Sequence, residues 1–458
     1  MAICGISICF KNLKFQINFI YQQNILCVID VTTQNKIEIT KHLFTSKLQM
    51  LCTDLLTDIS GYSHNSNLKY LCLDLYKNIC IYEKSKEWQT KYNNFDKINK
   101  NMLLNGNYNW KYEYVRIRDY DKWELFNNIN LQTKECELKI QDIKKIPKEI
   151  GQLINMQTLS FYFNEIKKLP KEIGQMINLR ELYLSNNEIK RFPKDLGQMV
   201  NLKIFCSCSN QINKMPKEIG KLINLRELYL SYNQINKIPK EIGKLINLQN
   251  LYLPDNQIKK VPKEIAQLID LRKLFVFKNQ INKMPREIGQ LANLQELDLS
   301  YNLIKKVPKE IEQLINLRTL DLSCNKIKKV PKEITQLNKL QKLDLSNNQI
   351  KKVPKEIGHL INSEYLSFSK NQIRKVPINI GQLINLRKLY FSDNQIIKMP
   401  KEIGQIINLQ ILVLHDNQIH KVPKEMAQLI NLQVLNICDN RIIKLPKEIE
   451  LLTANILN

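Results

Sequence analysis

Residues 239–261 read PKEIGKLINLQNLYLPDNQIKKV, and the same text recurs with variations in both directions along the chain. Fourteen of the fifteen prolines stand 23 residues apart, from Pro147 to Pro446, and only Pro254 lies off that grid. A fixed period of this length marks a stack of similar units, each covering its neighbour's apolar face. Within a unit the apolar residues follow L-x-x-L-x-L-x-x-N-x-I, as at Leu225, Leu228, Leu230, Asn233 and Ile235. The two-residue alternation of L-x-L predicts a short strand with one face buried. One strand per unit makes an α/β repeat, a curved solenoid with a parallel sheet along its inner face. Fourteen strands are expected, counted from the half-degenerate unit at 133–146.

The rest of the unit closes the coil. The residue before each repeat proline is apolar (Val261, Met284, Val307), so it points inward while the proline fixes φ and turns the chain. Ile242, Leu245 and Leu248 then fall three apart, one face of a tight helical turn. Proline suits the first position of such a turn, and the frequent glycine (Gly243, Gly289) argues against a long helix. Short 3-10 turns are expected on the outer side. Thirteen units carry an asparagine beneath the strand's end, from Asn164 to Asn440. A buried amide persists only when hydrogen-bonded, so these predict a ladder of side-chain to backbone bonds. Ser207 and Ser363 stand at core leucine positions and read as local packing faults.

The array spans 131–458, about thirteen full repeats with partial units at each end, and beyond Ile449 its text leaves only a short terminal turn. Residues 1–130 are a different text, with all three tryptophans and no proline. Strand-like alternation at Leu71–Leu75, a helix-like stretch at 43–56 and a faint echo of the repeat at 68–79 are their local signals. They read either as a cap over the first repeat's apolar face, which a solenoid requires for solubility, or as an adaptor module.

Composition narrows the setting. No apolar run approaches the ~18 residues of a membrane span. The eleven cysteines are scattered without a C-x-x-C pair, and no N-x-S/T sequon occurs, which favours a reducing, intracellular and specifically cytoplasmic location. The net charge of +25 suggests nucleic acid at first sight. Yet lysines flanking each repeat proline are followed by an acidic residue in every unit but one, Asn379 being the exception. Stacking turns them into parallel basic and acidic rows about 5 Å apart, a solvated flank rather than a phosphate-binding surface.

The unit L-x-x-L-x-L-x-x-N-x-I-x-K-x-P-K-E-I-G-Q-L resembles the 23-residue leucine-rich repeats of Ras-interacting and scribble-like scaffold proteins and of similar bacterial repeat proteins. Leu225, Leu228, Leu230, Asn233, Ile235, Ile238, Pro239, Ile242, Gly243 and Leu245 carry the match in one unit. The resemblance covers about 131–458. It implies a horseshoe that binds partner proteins on its concave face, without fixing the partner.

No P-loop, H-E-x-x-H or G-x-S-x-G occurs, so no enzyme and no cofactor is expected. His415, Asp416, Cys438 and Asp439 fall in register in adjacent units, but neither C-x-x-C nor H-x3-H spacing supports zinc, and no metal is expected. The variable x of L-x-L points away from the core and forms the surface a ligand would meet. It runs Tyr183, Cys206, Tyr229, Tyr252, Phe275, then Asp298, Asp321, Asp344, then Ser367, Tyr390, Val413, Asn436. Exposed aromatics in a row resemble interface anchors, and three carboxylates in register call for a cationic counterpart. Drift among duplicated units yields the same pattern. The expected function is an intracellular protein-interaction scaffold whose partner presents a basic segment to this face. The alternatives are a substrate receptor recruited to a ubiquitin-ligase-like complex through 1–130, and a nucleic-acid-associated protein acting through its lysine rows.

Overall fold

The computed structural model describes the backbone of residues 3–10, 13–22, 25–30, 114–117 and 137–140, and the chain from 143 to 450. The expectations for 43–56, 68–79 and the final turn beyond 450 lie outside those residues. The chain divides into two compact units, Met1–Gly106 and Asn107–Asn458. In the first, β1 (Ile3–Phe10), β2 (Leu13–Gln22) and β3 (Ile25–Asp30) form an antiparallel sheet in chain order.

The second unit is a solenoid. Its sheet begins with β4 (Tyr114–Ile117) and β5 (Glu137–Ile140), which pair in parallel, Tyr114 opposite Glu137. Thirteen three-residue strands follow at 23-residue intervals, from β6 (Thr158–Ser160) and β7 (Glu181–Tyr183) to β18 (Val434–Asn436). The order is that of the chain throughout, fifteen parallel strands in an open sheet. Fourteen were expected. The additional strand, β4, precedes residue 131 and has neither the L-x-L text nor a proline to mark it.

Each coil is closed as its residues dictate. Pro239 has φ −69° and ψ 149°, an extended residue that hands over to a 3-10 turn at Lys240–Lys244. Leu245 N donates to the Ile242 carbonyl at 3.1 Å, and the chain turns back to the next strand. Glycine has a steric reason here. A Cβ on Gly243 would come within 2.5 Å of the Glu264 carbonyl oxygen in the next coil. Leu225, Leu228, Leu230, Ile235, Ile238, Ile242 and Leu245 are all buried, each worth about 1.5–3 kcal/mol in transfer from water. One continuous core runs from Ile143 to Ile449.

The inward asparagines form the ladder. Asn302 Oδ1 accepts from Ile281 N at 2.9 Å, while Nδ2 donates to the carbonyls of Val276, Leu299 and Ser300 at 3.0–3.1 Å. The residue before each ladder asparagine is left-handed, φ 49–58° in all thirteen coils, and none is glycine. In every coil but the last its conformation is held by bonds to the next coil, as when Tyr301 N donates to the Ser323 carbonyl at 2.9 Å. A second ladder, on the outside, went unread in the sequence: Asn247 Nδ2 donates to the Ile223 carbonyl at 2.8 Å, and the pattern recurs between Asn178 and Asn431, interrupted where Asp270 and Lys339 replace the asparagine.

The two serines at leucine positions are not faults. Ser363 is fully buried and its hydroxyl donates to the Leu340 carbonyl at 3.0 Å. Ser207 accepts from Asn210 Nδ2, and its small volume is offset by Phe205, which packs on Phe192 with ring centroids 5.1 Å apart.

Candidate partner-binding face

Because strand residues alternate between faces, the first and third residues of each three-residue strand stand together on the side opposite the core. The third residues are the expected column, and parallel register places them side by side. Tyr229, Tyr252 and Phe275 are partly exposed and stack, with centroids 4.8 and 4.7 Å apart and planes 29° and 19° from parallel. Such pairs contribute about 0.5–1.5 kcal/mol each beyond area burial. The Tyr229 hydroxyl donates to Glu227, the first residue of the same strand. Burial, above all, raises the hydroxyl pKa of both Tyr229 and Tyr252, so each is a neutral phenol at physiological pH.

Tyr183 is set apart from this stack by Cys206. It packs instead on Tyr162, at 5.4 Å, and donates to Glu181 Oε2 at 3.0 Å. Tyr390 lies beyond the acidic row and pairs with Tyr365 at 5.3 Å. Neither Tyr162 nor Tyr365 was singled out by the sequence. Tyr365 is the first residue of its strand and Tyr162 lies two residues past another, so a reading two positions either side of the column would have found both.

The three aspartates are less free than their column implies. Asp298 Oδ1 accepts from Ser300 N and Oγ at 2.9 and 2.7 Å. Asp321 does the same with Ser323 at 3.0 and 2.7 Å, and Asp344 with Ser346 at 2.9 and 2.6 Å. The sequence signal was D-x-S in three successive units. Asp298 and Asp344 are only 8% and 7% exposed, and Asp321 between them is only partly exposed. Burial, with Asp298 and Asp344 on either side, pushes the Asp321 carboxyl up to about 7, against the opposing pull of Lys342 and Ser323.

Two further surfaces border the array. Arg318, Lys339, Gln341, Glu364, Arg387 and Gln410 line an open polar trough of about 630 Å³ beside the strand starts. Ile223, Ile246 and Ile269 belong to an aliphatic row, each at least half exposed, along the same turns as the outer asparagines. At the array's end His415 Nδ1 lies 2.7 Å from Asp416 Oδ2, and Asp393 completes a group whose candidate ligand atoms are within 4.8 Å of one another. Cys438 is not among them; its thiol donates to Asn436 Oδ1 at 2.9 Å.

Family profiles match these coils: one described as a leucine-rich repeat region over residues 129–230 and 204–303, another as leucine rich repeat over 292–350 and 315–373. A solved leucine-rich repeat protein of Leptospira interrogans is 38% identical, the match covering 73% of this chain and 91% of that one, with a TM-score of 0.63. The chain belongs to the leucine-rich repeat family. This leucine-rich repeat protein also resembles an internalin of Listeria monocytogenes in fold, at 22% identity, 67% and 86% coverage and TM-score 0.59. A plant peptide hormone receptor, RGFR1, solved with RGF2, is 28% identical over 69% of this chain and 60% of its own, TM-score 0.56. A search of curated proteins returned no match. Among the described residues no helix is long and apolar enough to cross a membrane.

Proposed function

We propose that the array is a non-catalytic, intracellular scaffold that binds a protein partner along its concave face, across the junction between the Tyr229–Tyr252–Phe275 stack and the aspartate row. Leucine-rich repeats are protein-interaction modules, and the plant peptide hormone receptor RGFR1 was solved in complex with RGF2. The observation that carries the reading is the abrupt junction at Phe275 and Asp298, which pair directly in the sheet. Three stacked, partly exposed rings meet a row of three carboxylates held in register, Asp298, Asp321 and Asp344. A partner whose apolar side chains cover the rings and whose Lys or Arg reaches Asp321 satisfies both. Partial neutralisation of surface lysines, as in the 2.8 Å Lys273–Glu296 bridge, favours protein over nucleic acid.

The test is affinity capture with the full chain, followed by titration of the captured partner. Tyr252→Ala and Phe275→Ala should each weaken binding by about 1–3 kcal/mol. Asp321→Asn should slow association and reduce its salt dependence. Unchanged binding in all three, with loss on replacing the lysines of the outer flank, would place the functional face elsewhere.

A further inference from the structure

One coil departs from the rest at the strand face. Its text, Phe205-Cys206-Ser207-Cys208, puts two thiols on one side of the chain with a buried serine between them. The sulfurs lie 4.0 Å apart and both residues are partly exposed. The Ser185 hydroxyl in the preceding coil accepts from Cys208 N at 2.9 Å and lies 3.1 Å from Cys206 Sγ. When Cys206 is a thiolate, that hydroxyl is placed to donate to its sulfur. Cys206 Sγ thus has two hydrogen-bonding neighbours, Ser185 Oγ and Cys208 Sγ, both able to donate to a thiolate there.

We propose that Cys206 and Cys208 are a redox-active dithiol that closes to an intramolecular disulfide on meeting a low-molecular-weight disulfide. Cys206 is the attacking sulfur and Cys208 the resolving one. The hydrogen bond from Cys208, the largest influence, holds the Cys206 thiol down at about 6 and raises that of Cys208. In the first step the Cys206 thiolate forms a bond to one sulfur of the small disulfide, whose S–S bond breaks and releases a thiolate. In the second, Cys208 gives its proton to solvent and attacks the Cys206 sulfur, and the second small thiolate leaves. The protein loses two electrons and two protons, and the small disulfide becomes two thiols. Two residues of extended chain span about 6.6 Å, at the upper limit of the 4.4–6.8 Å that disulfide Cα atoms tolerate. The bond formed is strained, so it is readily reduced again and acts as a switch rather than a staple.

The test uses the folded full-length chain at neutral pH with oxidised glutathione, followed by acid quenching, alkylation and tryptic mass spectrometry. Peptide 204–214 should become two hydrogens lighter and carry no alkyl group, and dithiothreitol should reverse both changes. Cys208→Ser should stop at a glutathione adduct on Cys206, and Cys206→Ser should leave Cys208 without an adduct over the same period. The proposal is overturned if both cysteines of the unsubstituted chain are alkylated after exposure, or if the first adduct sits on Cys208. It is equally overturned if urea-unfolded chain forms the disulfide as fast as folded chain. The first measurement needs no variant, so a Cys→Ser change that unfolds the coil does not remove the test.

Discussion

Asp321 lies between Asp298 and Asp344 in sheet register, and burial together with those two neighbouring carboxylates pushes its carboxyl up to about 7. Its folded-state pKa is above the ordinary 3.8, so the folded chain holds this proton more tightly than the unfolded chain does. Stability contributed by the neutral form is therefore present at low pH and is lost as pH rises from about 4 to about 7. Asp321→Asn keeps an Oδ1 acceptor for Ser323 and removes the charge. It should raise the melting temperature at pH 8 and leave it little changed at pH 4. Parallel melting curves for the two chains across that range would refute the assignment.

The inner asparagine ladder should be worth more than the charged flank. Asn302→Ala deprives a buried amide and three carbonyls of partners and should cost about 1–3 kcal/mol. Lys306→Ala changes an exposed residue and should cost under ~0.5 kcal/mol. Urea melts of the two variants, compared at constant m-value, decide the point.

On the outside of the coil, Asn247→Ala removes one exposed bond to the Ile223 carbonyl. Water replaces that bond, so the loss should stay below ~1 kcal/mol. A destabilisation equal to that of Asn302→Ala would mean the outer ladder is structural to the same degree.

Thiol reactivity should separate along the array. The alkylation rate of Cys206 should rise through pH 6, whereas Cys324, whose thiol burial pushes above 9.0, should need alkaline pH. Rates measured peptide by peptide with iodoacetamide check this, and identical profiles at the two positions would contradict the low Cys206 value.

The proline grid, the L-x-L strands and the ladder asparagines were legible because each is a local rule repeated over thirteen coils, broken in the strands only where Ser207 replaces a core leucine, and repetition averages out local ambiguity. From those residues the sequence alone determined the coil, its core columns, its 3-10 turns and the face on which the variable residues stand. Only the tertiary structure decided how neighbouring coils use that face. The left-handed residue before each ladder asparagine carries no glycine to announce it, since bonds to the next coil hold Tyr301 and its equivalents there. Asp298 and Asp344 read as free carboxylates, and the serines two residues on make them part of the turn. The stacking of Tyr252 on Phe275 and the 4.0 Å approach of Cys206 to Cys208 depend on side-chain rotation. Burial and nearby donors select that rotation, and a column of letters does not encode it.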